Sequence, residues 1–94
     1  FKPIGPWIVT DLDPDALHVT IRLNNRVVGA YDVKAAIFSV RQFISRMSQY
    51  LTLYPGDVLW MGTDGDPENM KDGDVVEVEV NDIGVLRNPV VRER

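Results

Sequence analysis

The sequence predicts a mostly β fold with one helix, in the α+β class. Two stretches alternate apolar and polar residues with period two, Leu17–Leu23 and Val76–Val80. A third stretch, after Ser39, repeats apolar residues at helical spacing behind a capping pair.

The chain opens on Phe1–Trp7, where two prolines and a glycine disfavour a helix and predict an extended or turning lead-in. Ile8-Val9-Thr10 is read as a short strand, and Asp11–Asp15, with three aspartates and Pro14, as a loop. In the first alternating stretch, Leu17, Val19, Ile21 and Leu23 face one way and His18, Thr20 and Arg22 the other. Asn24-Asn25 then predicts a turn, because asparagine tolerates left-handed backbone, and Val27-Val28 begins the return arm of a hairpin.

Ser39 is the expected helix N-cap, with Gln42 completing a capping box. Val40, Phe43, Ile44, Met47 and Leu51 share one face, and the helix stops before Tyr54-Pro55-Gly56. Asp57–Met61 is read as a short apolar strand running into Gly62-Thr63, and Asp64–Asp74 as an acidic loop. Val76, Val78 and Val80 alternate with Glu77 and Glu79, Asn81-Asp82 turns the chain, and Gly84–Val91 returns. Neither an internal repeat nor a low-complexity linker divides the chain.

Ninety-four residues suffice for one small domain and not for two. A formal net charge of −4, with ten scattered basic residues, argues against nucleic acid, which rewards a basic face. The absence of cysteine removes disulfides, thiolate catalysis and cysteine-bound zinc. No apolar run approaches the ~20 residues of a membrane-spanning helix. A cytoplasmic setting is the expectation, and a first residue other than Met fits a segment of something longer.

Few residues offer chemistry. His18, the single histidine, falls on the polar side of its strand without a second histidine or cysteine to share a metal, and reads as solvent-facing. Glu77 and Glu79 point to the same side, as a carboxylate metal pair would, but a strand with one wet face has the same pattern. Asp64–Asn69 resembles the opening of a calcium loop and fails at the sixth and twelfth positions, Asn69 and Val75. It is read as a solvated loop, with substrate gating as the alternative. Gly62-Thr63 differs: a glycine ending an apolar strand admits a ligand, and the threonine hydroxyl and N–H can bind an anionic oxygen. Phosphate loops and nucleophile elbows are missing. The residues describe a small β domain without a self-contained active site.

The order of motifs resembles the fumarylacetoacetate hydrolase family. Ile4-Gly5-Pro6-Trp7-Ile8-Val9-Thr10 is similar to its "GPWIVT" segment and Ile37-Phe38-Ser39 to its "MIFS". Leu53-Tyr54-Pro55-Gly56-Asp57-Val58 resembles its "L-x-P-G-D-V", and Met61-Gly62-Thr63 its "TGTP". Gly73–Glu79 followed by Gly84–Val90 is similar to the closing hairpin, so the match spans essentially residues 1–94.

This resemblance implies a mixed β-roll, here the C-terminal part of a catalytic domain, assembled as a homodimer. It also implies carboxylate-held Mg²⁺, sometimes Mn²⁺ or Ca²⁺, and a small oxo or diketo acid as substrate. The family's reactions are C–C bond hydrolysis, decarboxylation and isomerisation, several of them in aromatic catabolism. A metal that chelates adjacent oxygens stabilises the enolate these reactions share, and a His–Glu pair activates water in the hydrolases.

By resemblance, the metal ligands, the His–Glu pair and a lysine precede Phe1, so no catalytic or metal residue falls in this segment. Thr63 matches the threonine that binds the substrate carboxylate, with Gly62 giving access. Asp64 replaces the family's proline, and Gly65-Asp66-Pro67-Glu68-Asn69 its glycine-rich loop. A negative charge there disfavours an anionic substrate unless Asp64 points away. Two readings stand beside the enzyme segment: a non-catalytic relative using this roll for assembly or binding, and a β interaction module that folds alone.

Overall fold

A computed structural model describes residues 2–66 and 68–93; Phe1, Pro67 and Arg94, and the readings that fall on them, lie outside these. Four strands form one antiparallel sheet: β1 (His18–Leu23), β2 (Arg26–Asp32), β3 (Val75–Val80) and β4 (Gly84–Pro89). Their order is β2-β1-β3-β4. One helix, α1 (Val40–Met47), and two single 3-10 turns, Pro14–Ala16 and Val33–Ala35, complete the regular structure. The mostly β, single-helix expectation holds.

Local chemistry accounts for each joint. Asn24 and Asn25 sit at φ 51° and 66°, the two left-handed positions of a tight hairpin turn between Leu23 and Arg26. One step later the register changes from Ile21↔Gly29 to Arg22↔Val27, leaving Val28 as an extra bulge residue. In α1, the Ser39 hydroxyl accepts the Gln42 N–H at 3.2 Å and the Gln42 side chain accepts the Ser39 N–H at 3.0 Å. The expected capping box is therefore closed. Regular helix ends at Met47, and a loose turn carries the chain to Leu51 through a 2.9 Å bond from its N–H to the Met47 carbonyl.

A repeated device turns the chain ahead of Val58 and Val75. In Tyr54–Asp57 and in Lys71–Asp74 the fourth residue's N–H donates to the first carbonyl. Each aspartate side chain accepts the first residue's N–H, both at 2.7 Å. The third residues, Gly56 and Gly73, have φ 93° and 88°, which the glycines permit without a Cβ clash.

One sheet face carries Val19, Ile21, Leu23, Val76, Val78 and Val80, aligned in register across β1 and β3. The other carries charge: Arg22 pairs with Glu79 at 2.6 Å and Arg87 with Glu77 at 3.2 Å. Both glutamates of the Val/Glu strand are thus engaged by arginines. At the start of β4, a Cβ on Gly84 would stand 3.0 Å from the Trp7 ring, so this glycine admits the lead-in against the sheet.

Two expected strands do not form. Ile8–Thr10 and Asp57–Met61 run without ladder partners among the described residues. An extended segment becomes a strand only when a neighbour takes up its N–H and C=O groups. Their apolar side chains are left open, Ile8 at 94% exposure and Val58 and Trp60 at 63% each. The core is correspondingly thin, with Leu17, Val19 and Leu23 its buried apolar members among the described residues.

Candidate functional site

Gly62 and Thr63 lie on the wall of a cleft of about 600 Å³. Opposite them the sheet contributes Val19, Tyr31 and Asp32, and the connection from β2 to α1 contributes Val33, Ala35, Ala36, Ile37 and Phe38. Phe43 from α1, with Met61 and Asp64 on either side of the Gly-Thr pair, completes the lining. The architecture explains why these meet. Asp32 ends β2, the 3-10 turn bends the chain, and the Ser39 cap launches α1 so that Phe43 faces back.

The reason for Gly62 is conformational. Its φ is 84°, and a Cβ would meet nothing within 4 Å. Left-handed backbone favours the glycine here. The exposed Thr63 has, among the described residues, one hydroxyl hydrogen bond, a long 3.4 Å donation to the Asp64 carbonyl. Asp64 turns its carboxylate onto the following N–H, Gly65, at 2.8 Å, while still lining the cleft. The loop beyond is fastened by a two-bond pair: Arg26 donates to Glu68 at 3.0 and 2.7 Å. That hydrogen-bonded pairing lowers the Glu68 carboxyl from its ordinary value.

His18 lies exposed, off the cleft lining, and it has a partner the sequence did not announce. Its Nδ1–H donates to Asp32 Oδ1 at 2.8 Å, joining the first residue of β1 to the last of β2, which face each other in register. This bond, reinforced by nearby positive charge, lowers the Asp32 carboxyl. Asp32 itself lines the cleft. Period-two reading places His18 on the wet face but gives no signal that Asp32 pairs with it, since the bulge at Val28 shifts the register between them.

Two acidic residues are among those lining the cleft, with their carboxylates engaged by His18 and by the Gly65 N–H. Asp32 and Asp64 line it, and no lysine or arginine does among the described residues. Arg46 lies over the Phe38 ring of its wall, 5.0 Å from the centroid. Among the described residues no group of three or more carboxylates and histidines is placed to hold a metal ion. Glu77 and Glu79 stand on the charged face of the sheet and contribute nothing to the cleft lining.

Residues 1–91 match the family described as fumarylacetoacetate (FAA) hydrolase C-terminal. An uncharacterised protein of Methanocaldococcus jannaschii is 42% identical over 99% of this chain and 39% of its own length. The 2,4-didehydro-3-deoxy-L-rhamnonate hydrolase of a Sphingomonas species is 37% identical over 96% of this chain and 35% of its own length. The solved 5-carboxymethyl-2-hydroxymuconate delta-isomerase of Mycobacterium smegmatis superposes with a TM-score of 0.90 at 38% identity. That superposition covers 95% of this chain and 36% of the isomerase. The chain thus spans little more than a third of the relatives it matches, and it shares their fold closely.

Proposed function

Because this chain belongs to the fumarylacetoacetate hydrolase family, we propose that it is the C-terminal segment of a metal-dependent catalytic domain acting on 2-oxo or diketo acids. The reaction is C–C bond hydrolysis, decarboxylation or isomerisation. Its similarity to one hydrolase and one isomerase supports the first and the last of these. The observation that carries the reading is Gly62-Thr63 on the wall of an apolar cleft. A threonine hydroxyl and N–H beside a left-handed glycine make a compact donor pair for a substrate carboxylate.

The described residues do not by themselves fit Mg²⁺. A hard cation takes oxygen ligands, mostly from converging carboxylates, and the carboxylates here are dispersed or committed to Arg22, Arg87, Arg26 and His18. In this proposal the metal ligands and the proton-transfer groups lie elsewhere in the full-length protein, and residues 1–94 supply one substrate-binding wall. Assembly as a homodimer belongs to the same proposal. It is supported by the large apolar side chains left exposed, Ile37 at 94% and Trp60 at 63% among them.

One observation favours the reading as a non-catalytic relative: Asp64 brings a carboxylate next to Thr63. The two are separated by assaying the full-length protein on 2-oxo and diketo acids with Mg²⁺, then after chelation by EDTA. Turnover lost on chelation and restored by Mg²⁺ is the expected result. Binding of an oxo acid without turnover of any substrate supports the non-catalytic relative.

A further inference from the structure

We infer that Arg26 is a positioning residue for the substrate-binding wall: its two-bond pair with Glu68 fixes the loop that follows Gly62 and Thr63 to the β1–β2 hairpin. The inference rests on the reading of Thr63 as the carboxylate contact and adds what holds that residue in place. The pair joins residues 42 positions apart, with one bond to each carboxylate oxygen, at 3.0 and 2.7 Å. A guanidinium fork on both oxygens fixes direction as well as distance, which a single bond does not. Both side chains keep solvent contact, 63% for Arg26 and 42% for Glu68. The pair therefore favours one loop position by roughly twofold to fivefold and does not lock it.

Each partner sits where such a link has leverage. Arg26 opens β2 and is paired in register with Leu23, a buried member of the core, so its backbone belongs to the sheet. Glu68 lies between Asp64 and the Lys71–Asp74 turn, where the described residues form neither strand nor helix. The loop's departure from the glycine-rich family pattern is what supplies this glutamate. Asn24 bonds Asp74 at 2.8 Å, so the hairpin tip grips the chain beyond Thr63 at two points. Closer to Thr63 the bonds are local, Thr63 to the Asp64 carbonyl and Gly65 to the Asp64 carboxylate. A loop confined in this way spends more of its time with the Thr63 donors in place. Raising the binding-competent fraction lowers the apparent dissociation constant by the same factor, so the effect belongs in KM and not in kcat.

The test compares Arg26→Ala, Arg26→Lys, Glu68→Gln and the exchanged pair Arg26→Glu with Glu68→Arg in the full-length protein. Two readouts are taken: kinetics on oxaloacetate and acetylpyruvate with Mg²⁺, and the rate of subtilisin cleavage between residues 62 and 70. We expect Arg26→Ala to raise KM roughly twofold to fivefold at unchanged kcat and to quicken cleavage by a similar factor. Arg26→Lys, which keeps the charge and loses the fork, falls between. The exchanged pair regains most of both. Glu68→Gln keeps the side-chain shape and carries the test if Arg26→Ala does not fold. Unchanged KM and cleavage in the single variants overturn the inference, as does a defect that the exchanged pair fails to repair. Faster cleavage beside an unchanged KM also overturns it, and Thr63→Ala then tells why. If that variant raises KM, Thr63 binds substrate without help from the pair; if it too is silent, the reading of Thr63 has failed. Should neither acid be turned over by the unmodified protein, the oxo-acid reading loses its support, and cleavage alone decides whether the pair fixes the loop.

Discussion

Asn24 and Asp74, 50 positions apart, are joined by a 2.8 Å hydrogen bond from the asparagine amide to the aspartate carboxylate. The same asparagine accepts the Val75 N–H through its side-chain oxygen at 2.9 Å, and its own N–H donates to the Val75 carbonyl at 2.9 Å. The tip of the β1–β2 hairpin is thereby stitched to the first residue of β3. Asn24 does two jobs, holding left-handed backbone at φ 51° and bridging two distant segments.

Substitutions at this position separate the two roles. Asn24→Gly keeps the turn and loses the bridge, whereas Asn24→Ala loses the bridge and strains the turn. We expect destabilisation of about 1 kcal/mol for glycine and about 2 kcal/mol for alanine. Hydrogen–deuterium exchange should quicken at the Val75 amide in both. Equal effects would mean that the turn conformation costs nothing.

Acid should loosen the sheet ends before its centre. Asp32, Glu68 and Asp74 all have carboxyls lowered in the folded protein, each chiefly by a side-chain hydrogen bond, from His18, Arg26 and Asn24 respectively. A depressed folded pKa contributes stability above the unfolded value and loses it as pH falls through the folded one. The unfolded values are 3.8 for the aspartates and 4.5 for Glu68, so stability should be flat above about pH 5 and decline from there downward. Asp32 and Glu68 are exposed and Asp74 is only half-buried, which keeps the decline shallow. Amide exchange measured against pH on the full-length protein checks this, with Asp74→Asn expected to flatten the fall near Val75.

The helix cap gives a cleaner number. Ser39→Ala removes the acceptor for the Gln42 N–H and half of a reciprocal pair, at an expected cost of about 1 kcal/mol. Ser39→Asp should retain most of the stability, because a carboxylate caps the same N–H and favours the helix N-terminus. Since Phe38 precedes the cap and Phe43 lies within α1, both on the cleft wall, the alanine variant should also weaken ligand binding. Chemical denaturation and calorimetry on the same samples test the two effects together.

Much of this was legible locally. The Asn24-Asn25 turn, the Ser39–Gln42 box and the Val/Glu alternation of β3 each involve residues within a few positions, where propensity and spacing act directly. The failures share a cause. Ile8–Thr10 and Asp57–Met61 have strand composition, but a strand also needs an edge to pair with, and nothing in either segment encodes whether one is present. Gly62-Thr63 was recognisable from motif order, yet its setting was not. Asp32 reaches the cleft because β2 carries a bulge and ends there, and His18 meets it across the hairpin. Such side-chain meetings between strands depend on register, which one extra residue resets.

The central claim is that Thr63 holds the substrate carboxylate, and kinetics of Thr63→Ala against Thr63→Ser in the full-length protein test it most directly. The account predicts that alanine lowers kcat/KM for an oxo acid by roughly tenfold to a hundredfold, while serine, keeping the hydroxyl, retains most of it. Unchanged kinetics in Thr63→Ala would remove Thr63 from the site and contradict the account.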